Sequence, residues 1–231
     1  MKSIGVLGGM APASTLEYYK ILFQTAEGKG WGKKYPEIII FSINFEEFYS
    51  LISEGKTDEV ISLLAGKIEA LENAGADFAL LASNTPHRFF SELDQRVSIP
   101  LLNIAEATAG EARKKNCHKA ALLGTQLTME GKFYQEYFEK NDMEIVTPRL
   151  REREFINDSI FDELVRGSMN EDTKKNILGI VKKLDDREKI DAVILGCTEL
   201  PLVFNEENLG IPVLNSTKIH ASAAFEYAIA D

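Results

Sequence analysis

The sequence predicts an α/β fold made of two pseudo-symmetric lobes, each with a parallel sheet flanked by helices. Short apolar runs alternate with helical patterns along the chain, which is typical of strand–helix–strand units and parallel sheets. Several motifs of the first half also recur in the second half, in the same order. Apolar residues make up 45% of the 231 positions, which is enough to bury a substantial core.

Four short apolar runs in the first half predict strands, at residues 3–7, 37–42, 77–82 and 99–103. The helices predicted between them begin near Ala13 or Ser14, at an N-cap on Thr57 and at Pro86. Gly75 suits the position just past the end of the second helix. The segment 43–53 is ambiguous between a loop and a short helix. The apolar positions of the first helix are Leu16, Tyr19, Ile21 and Phe23.

The second half repeats the alternation, with strands predicted at residues 119–123, 144–146, 190–195 and 211–215. Helices are predicted at residues 105–115, 129–140, 155–165, 170–184 and 218–230, with Asn170 or Asp172 as the N-cap of the fourth. The charged stretch 149–154 is interpreted as a solvated loop or the start of a helix.

Three matched segments, each separated by about half the chain, indicate an internal duplication. Val6-Leu7-Gly8 matches Leu122-Leu123-Gly124 at an offset of 116, and Ala82-Ser83-Asn84-Thr85 corresponds to Gly196-Cys197-Thr198 at an offset of 114. Ile99-Pro100-Leu101-Leu102-Asn103 matches Ile211-Pro212-Val213-Leu214-Asn215 at an offset of 112. Each half therefore has a polar turn at the end of a buried strand, where open α/β sheets bind their ligands. We expect both turns to face a shared cleft between the lobes, a favoured place for a ligand site.

Composition narrows the class of protein. The formal net charge is −10 and no Lys and Arg stripe is present, which argues against a nucleic-acid partner. Two cysteines, Cys117 and Cys197, do not form a disulfide framework and fit a reduced cytosolic setting. The first residues lack a signal-peptide pattern, and no apolar run reaches the length of a membrane span. We therefore expect a cytoplasmic protein that does not associate with membranes.

The motifs resemble those of the aspartate/glutamate racemase superfamily of cofactor-independent amino-acid racemases. Ile4-Gly5-Val6-Leu7-Gly8-Gly9-Met10 is similar to the family's opening, Asn84-Thr85-Pro86-His87 to its first catalytic turn, and Gly196-Cys197-Thr198-Glu199 to its second. Leu122-Leu123-Gly124-Thr125 is similar to the start of its second lobe, so the resemblance covers essentially the whole chain. The branch resembled is that of aspartate racemases, which includes broad-specificity amino-acid racemases.

This resemblance implies several further properties. It implies catalysis without pyridoxal phosphate, other cofactors or a metal, a small amino-acid substrate, and a homodimer. In the family fold the C-terminal helix packs onto the first lobe, so the expected lobes are residues 1–103 with 215–231, and residues 104–214. By likeness, Cys197 acts on the L-enantiomer. Asn84, Thr85 and Thr198 bind substrate, and Met10 lines the site.

Racemisation removes the α-proton from one face and returns a proton to the other, so two acid/base groups must flank the α-carbon. A thiol suits this role, because neighbouring donors readily lower its ordinary pKa and make the thiolate accessible near neutral pH. Donors aimed at the substrate carboxylate would stabilise the carbanionic intermediate, and Asn84, Thr85, Thr125 and Thr198 all lie in strand-end turns. The sequence therefore predicts Cys197 as the stronger acid/base group.

The sequence departs from the family pattern at two places. Ser83 stands where most of the family has the first catalytic cysteine, and a serine hydroxyl is a far weaker acid. Ser83 could relay a proton or simply form the turn. The second departure concerns the clamp for the distal carboxylate of aspartate. Arg166 resembles one basic residue of this clamp, although a surface ion pair would also explain it, while Glu46–Ser50 lacks the other.

Simpler interpretations remain open for several of these residues. Asn84 and Thr85 could cap the following helix, and His87 could support the site or only belong to the cap region. Cys117 lies in a polar stretch and is interpreted as incidental. Two other functions are also compatible with the sequence: a lyase or decarboxylase that uses one thiol, and an amino-acid-binding protein that has lost catalysis.

Overall fold

The computed structural model describes residues 1–230, which form two compact units. Unit 1 contains Met1–Asn103 and the residues from His220 onward, and unit 2 contains Ile104–Ile219. Each unit is built on a four-stranded parallel sheet with helices on both faces. The predicted fold class is confirmed.

The strands of unit 1 are β1 (Ile4–Gly8), β2 (Ile38–Ser42), β3 (Phe78–Leu81) and β4 (Leu101–Leu102). Its helices are α1 (Pro12–Gly28), α2 (Phe45–Ser53), α3 (Thr57–Asn73) and α4 (Phe90–Asp94), with a 3-10 helix at Thr85–Phe89. The strand order is β2-β1-β3-β4, and every neighbouring pair is parallel.

Alternating side chains of β3 supply both cores of unit 1. Leu81 packs in a cluster with Leu64 and Ile68 of α3 on one face of the sheet. Leu80 packs on the other face with Tyr18 of α1 and with Phe225, from the end of the chain. Because both faces are covered by helices, the central strands are apolar throughout rather than alternately polar and apolar.

Unit 2 repeats this plan with strands β5 (Lys119–Gly124), β6 (Glu144–Val146), β7 (Ala192–Gly196) and β8 (Val213–Asn215). The sheet order is β6-β5-β7-β8, so the four strands follow one another as their counterparts do in unit 1. The helices are α5 (Ile104–Lys114), α6 (Gln126–Glu130), α7 (Phe133–Glu139), α8 (Leu150–Asp162), α9 (Glu171–Glu188), α10 (Glu206–Leu209) and α11 (Ser216–Ile229), with short 3-10 helices at Leu164–Arg166 and Leu200–Leu202. The common strand order agrees with the internal duplication.

Side chains of β7 also alternate between two cores. Leu195 lies in the cluster that includes Ile156 of α8 and Val181 of α9. Ile194 lies in the opposite cluster, with Tyr134 of α7 and Ala109 of α5. The helices packed on both faces of β7 fix this strand, and the polar turn begins where the strand ends.

Several helices differ from the sequence predictions. The buried face of α1 includes Tyr18 and Leu22, whereas Leu16 and Tyr19, expected among its apolar positions, are 71% and 45% exposed. The predicted helix 129–140 is two helices, α6 and α7, because Gly131 has an extended backbone conformation that interrupts the turn. The Thr57 cap is wrong by one position, since Lys56 is the N-cap and provides no side-chain hydrogen bond.

The charged stretch 149–154 belongs to one helix, α8, with the residues that follow it. The Glu152 carboxylate accepts a hydrogen bond of 2.9 Å from the backbone N–H of Arg149, which satisfies a donor at the helix start. In α9, Asn170 is the N-cap, one of the two residues predicted for that position, and its side chain accepts from Asp172 N–H. None of the helices within residues 1–230 combines the length and apolar character that a membrane crossing requires.

Two buried histidines connect the first turns of α11 with β4 and with the turn after β3 inside unit 1. His220 Nε2 lies 3.0 Å from the Leu102 carbonyl and must donate to it, so Nδ1 accepts from the Tyr18 hydroxyl at 2.9 Å. The His87 ring lies 5.4 Å from the His220 ring, and its Nδ1 donates to the Ser83 carbonyl at 2.8 Å. Burial lowers the pKa of His87 to about 4 and of His220 to about 3.

The ends of β5 and β7 approach each other closely at two paired glycines, Gly124 and Gly196. A Cβ atom on Gly196 would lie 2.9 Å from the Leu123 carbonyl oxygen, and one on Gly124 would lie 2.8 Å from the Gly196 carbonyl oxygen. Both neighbours are backbone atoms of the sheet, which cannot move away independently. Glycine is therefore required here by space.

Replacing Gly196 by alanine should destabilise the protein by about 1–3 kcal/mol, because the added methyl group forces the two central strands apart. Gly179→Ala is the matched control, since Gly179 lies inside α9 with open space around the new methyl group. That control should be neutral or stabilising by up to about 1 kcal/mol. Urea unfolding measures both, and equal stability of the two variants would contradict the packing described.

The buried histidines should make stability depend on pH below neutrality. Because their folded pKa values lie below the ordinary 6.5, the unfolded chain binds protons first as the pH falls. The free energy of unfolding should therefore decrease from about pH 6.5 towards pH 4, by about 2 kcal/mol per histidine at pH 4.5. Urea unfolding between pH 7 and 4.5 measures this slope. His220→Gln should make the free energy of unfolding depend less steeply on pH. His118→Gln changes an exposed histidine and is the control, which should leave this slope unchanged. An unchanged slope in His220→Gln would contradict the prediction.

Candidate active site

The carboxyl edge of the unit 1 sheet brings the predicted residues of the first half together. β1 and β3 are parallel neighbours, and Ala82 N–H donates to the Leu7 carbonyl at 2.9 Å as the strands end. The turns after them carry Met10, which is 6% exposed, and the group Ser83, Asn84 and Thr85. Both turns thus leave the sheet at the same edge, as expected for a ligand site in an α/β fold.

The turn after β1 is shaped by a hydrogen bond and a glycine. Gly9 has a φ of +89°, and its N–H donates to the Thr15 hydroxyl of α1 at 3.0 Å. A Cβ atom on Gly9 would lie 2.5 Å from backbone atoms of Ile43, so only glycine fits. This contact holds the turn that carries Met10.

The turn after β3 presents a partly exposed Ser83 above a buried support. The side chain of Asn84 is 5% exposed and that of His87 is 1% exposed. His87 donates to the Ser83 carbonyl through Nδ1, while its backbone N–H donates to the Asn84 carbonyl at 3.0 Å. His87 therefore fixes the turn by hydrogen bonds, which is a supporting role. Asn84 is the N-cap of the 3-10 helix Thr85–Phe89, but its side chain makes no capping hydrogen bond.

The carboxyl edge of the unit 2 sheet brings Thr125 and Cys197 together in the same way. Gly124 pairs with Gly196 at the ends of β5 and β7, and the next residue of each strand is a predicted site residue. Thr125 is the N-cap of α6, and its hydroxyl lies 3.1 Å from that of Thr128. The Asn157 side chain of α8 accepts from Gln126 N–H at 2.9 Å, which ties this turn to α8.

Cys197 is a half-buried residue whose thiol hydrogen-bonds a buried carboxylate. Its Sγ donates to Glu199 Oε2 at 2.9 Å, and the Thr198 hydroxyl donates to the same oxygen at 2.7 Å. Glu199 is 6% exposed. Burial and the Glu199 carboxylate raise the pKa of Cys197 well above its ordinary value, and the backbone N–H groups of Thr198 and Glu199 offset this only in part.

The expectation that neighbouring donors lower the pKa of Cys197 is therefore wrong. Backbone N–H donors are present, but burial and the negative charge of Glu199 together raise the pKa of the thiol by more than these donors lower it. At neutral pH the resting thiol is protonated. The Cys197 thiol must therefore lose its own proton before it can remove a proton from a substrate.

Arg166 lies outside these two turns. It is in the short 3-10 helix Leu164–Arg166, after α8, and its side chain is exposed. Within residues 1–230 this guanidinium forms neither an ion pair nor a side-chain hydrogen bond. The surface ion pair considered from the sequence is not formed, and the guanidinium can accept an anionic partner.

Sequence reasoning noticed Glu199 only as part of a motif and gave it no role. The signal was present, because a carboxylate two residues after a strand-end cysteine can fold back onto the thiol. Cys117, in contrast, is buried at the start of β5, where burial raises its pKa to about 11, in agreement with an incidental role. Residues 1–230 contain no group of three or more His, Cys, Asp or Glu side chains arranged to hold a metal ion.

Comparisons with known proteins show which family the chain belongs to. The family model for Asp/Glu/Hydantoin racemase matches residues 7–224. A broad-specificity amino-acid racemase of Bacillus subtilis, RacX, is 26% identical over 93% of this chain and 92% of its own length. Among solved structures, an aspartate racemase homologue of Pyrococcus horikoshii is 39% identical, with a TM-score of 0.88 and 100% of both chains covered.

A second solved structure, described as that of a candidate Asp/Glu racemase of Yersinia pestis, is 35% identical with a TM-score of 0.92. It also covers 100% of both chains, so the match includes both units and both strand-end turns. The family model likewise extends from the end of β1 into α11. The chain therefore belongs to the Asp/Glu/Hydantoin racemase family.

Proposed function

We propose that this protein is an amino-acid racemase that works without a cofactor, accepts aspartate or glutamate, and tolerates a wider set of amino acids. The observation that carries the proposal is the thiol of Cys197, a half-buried residue at the carboxyl end of β7, which hydrogen-bonds the Glu199 carboxylate. Ser83 occupies the corresponding strand end of the other unit. Family membership supports the same reaction class.

In this proposal Cys197 removes the α-proton from the L-enantiomer as a thiolate. The electron pair of the broken C–H bond stays on the substrate and is delocalised into its α-carboxylate. Ser83 delivers a proton to the opposite face, either from its own hydroxyl or by relay from water. The D-enantiomer reacts by the reverse steps, with the Cys197 thiol as the donor. Ser83 forms no side-chain hydrogen bond within residues 1–230, so its hydroxyl can reorient to meet a substrate.

Stabilising the carbanion requires donors around the α-carboxylate. We assign this role to Asn84, Thr85, Thr125 and Thr198, with Met10 forming an apolar wall. Arg166 binds the distal carboxylate of aspartate or glutamate as an exposed guanidinium without a partner side chain. The α2 segment Glu46–Ser50 offers no second cation, so the clamp is incomplete, which favours a tolerance for other side chains.

Free enantiomers of an amino acid have equal energy, so kcat/KM must be the same in both directions. A weak acid on one face therefore cannot make the reaction one-directional. The difference in acidity between a thiol and a hydroxyl can make kcat and KM each differ between the two directions, while their ratio stays the same. Formation of a homodimer and a cytoplasmic location stay predictions from the resemblance and the composition.

Replacing Cys197 by alanine should abolish racemisation while leaving the fold intact. The purified protein, without added cofactor, should convert L- to D-aspartate or glutamate and the reverse, as followed by optical rotation or chiral chromatography. Cys197→Ala should reduce kcat/KM by at least about a hundredfold, the usual lower range for loss of an acid/base group. Cys117→Ala is the matched control and should keep wild-type activity, because Cys117 is buried at the start of β5, away from the strand-end turns.

Retained turnover in Cys197→Ala would contradict the assigned chemistry. Two further outcomes would identify the alternative functions. Exchange of the α-proton with solvent but no inversion indicates one-sided chemistry, as in a lyase or decarboxylase. Tight binding of an amino acid with no exchange indicates a binding protein.

A further inference from the structure

The outer edge of the unit 1 sheet is an apolar strand that has a neighbour on one side only. β2 is the last strand in the order β2-β1-β3-β4, and within residues 1–230 no strand other than β1 pairs with it. Ile43 N–H donates to the Gly8 carbonyl at 3.0 Å, so the odd-numbered residues of this segment face β1. In a parallel ladder the residues between them direct their backbone groups the other way. The residues with outward N–H and C=O groups are Ile38, Ile40 and Ser42.

Apolar side chains border this edge on the face that α1 covers. Ile40 is 41% exposed, and it lies on the same face of β2 as Ile38, which packs against the core formed with α1. Tyr35, just before β2, contacts Phe23 of α1 with 4.6 Å between ring centres, and Phe23 contacts Tyr19 at 4.7 Å. Tyr19 and the residue one turn before it are exposed. We define the α1–β2 patch as Leu16, Tyr19, Phe23, Tyr35 and Ile40.

The second half of the chain shows that the fold itself does not require this surface. At the offset of 116, the counterparts of the three α1 residues of the patch are all polar: Lys132, Gln135 and Glu139. The edge strand β6 is shorter than β2, and its first residue, Glu144, forms an ion pair of 2.9 Å with Lys119. Short length and charged side chains are common devices that keep a sheet edge from pairing with another chain. Unit 2 has both devices, whereas β2 is longer and carries no charged side chain.

We propose that β2 pairs with β2 of a second copy of this chain, antiparallel about a two-fold axis at Ile40, so that two unit 1 sheets form one continuous sheet. The outward donors and acceptors of the two strands then satisfy each other. An axis perpendicular to the sheet keeps both α1 helices on one face, where the two α1–β2 patches meet. The resemblance predicts a homodimer without indicating which surface forms it, and this inference does not depend on the racemase function.

Charges on either side of β2 favour this partner and this orientation. The net charge of −10 opposes the approach of two copies except where the surface is neutral or complementary. Lys33 and Lys34 precede β2 and are exposed. Glu46 and Glu47 follow it and are exposed as well. Within residues 1–230 none of these four side chains forms an ion pair.

Antiparallel pairing brings the beginning of one β2 beside the end of the other. With the axis at Ile40, Lys34 of one copy falls opposite Glu46 of the other. Lys33 then falls opposite Glu47, so each copy supplies cations where the other supplies carboxylates. A parallel arrangement would instead place like charges together, which is unfavourable.

Sedimentation velocity at micromolar concentrations tests the proposal, and the wild-type chain should sediment as a dimer. Ile40→Lys places a charge on the axis, where it meets its own copy, and should raise the dimer dissociation constant by about a hundredfold or more. Leu150→Lys is the matched control, because Leu150 is 54% exposed at the start of α8, and it should leave the dimer intact. A monomeric wild-type chain would overturn the proposal and leave the edge open to a different protein. A dimer that Ile40→Lys does not weaken would also overturn it.

A charge exchange tests the register. Lys34→Glu sets like charges together at two symmetric places and should raise the dissociation constant about tenfold. Adding Glu46→Lys to that variant should restore the wild-type constant to within about threefold, since the attraction is then re-formed in reverse. Lys182→Glu, at an exposed position of α9, changes the net charge equally and should have no effect. No recovery in the double variant would overturn the register about Ile40.

A disulfide test serves if Ile40→Lys does not fold. Facing residues whose backbones exchange hydrogen bonds have Cα atoms about 5.5 Å apart, which suits a disulfide. Ile40→Cys in a Cys117→Ala background should therefore link two chains on mild oxidation, and peptide mass spectrometry should find the bridge between the two introduced thiols. Leu150→Cys in the same background should not link. A chain that stays unlinked, or links only through Cys197, would overturn the proposal.

Discussion

The close parallel pairing of the two central strands in each sheet is the constraint on which the rest of the structure depends. In unit 2 this pairing continues to Gly124 and Gly196, whose backbones approach so closely that neither position has room for a methyl group. Because the strands are parallel and in register, the residues that follow them, Thr125 and Cys197, leave the same edge of the sheet. The order of strands in unit 1 repeats this arrangement for the turns that carry Met10 and Ser83.

A second consequence concerns electrostatics at the strand end. The turn after β7 places a thiol, a hydroxyl and a carboxylate on three consecutive residues, and the side chain of Glu199 returns to Cys197. Burial and that carboxylate keep the thiol protonated at rest, because both raise the pKa of Cys197. The turn after β3 lacks such a carboxylate and is supported instead by a neutral, buried His87. The duplicated scaffold therefore offers two chemically different strand ends.

The strand pattern could be predicted from the sequence because buried parallel strands are continuous apolar runs, and all eight runs contain or overlap the observed strands. The points at which helices begin, end or are interrupted were harder to predict from the sequence. The interruption at Gly131 and the continuity of α8 through residues 150–162 depend on backbone dihedral angles and on the Glu152 contact, which apolar periodicity does not encode. The contact between Glu199 and Cys197 depends on one side-chain rotamer. The exposure of Leu16 depends on which face of α1 the sheet covers. These are properties of the packed molecule, so local sequence patterns do not determine them.

The most direct test of the central claim follows deuterium during a single pass of racemisation in D2O. The reaction starts from the L-enantiomer of an amino acid that the protein racemises and is stopped at a few per cent conversion. The two enantiomers are then separated, and mass spectrometry measures the deuterium content of each. If different groups act on the two faces of the α-carbon, the D-product carries deuterium at the α-position and the remaining L-substrate carries almost none. A D-product that keeps its original hydrogen would show that one group removes and returns the same proton, and would contradict the account.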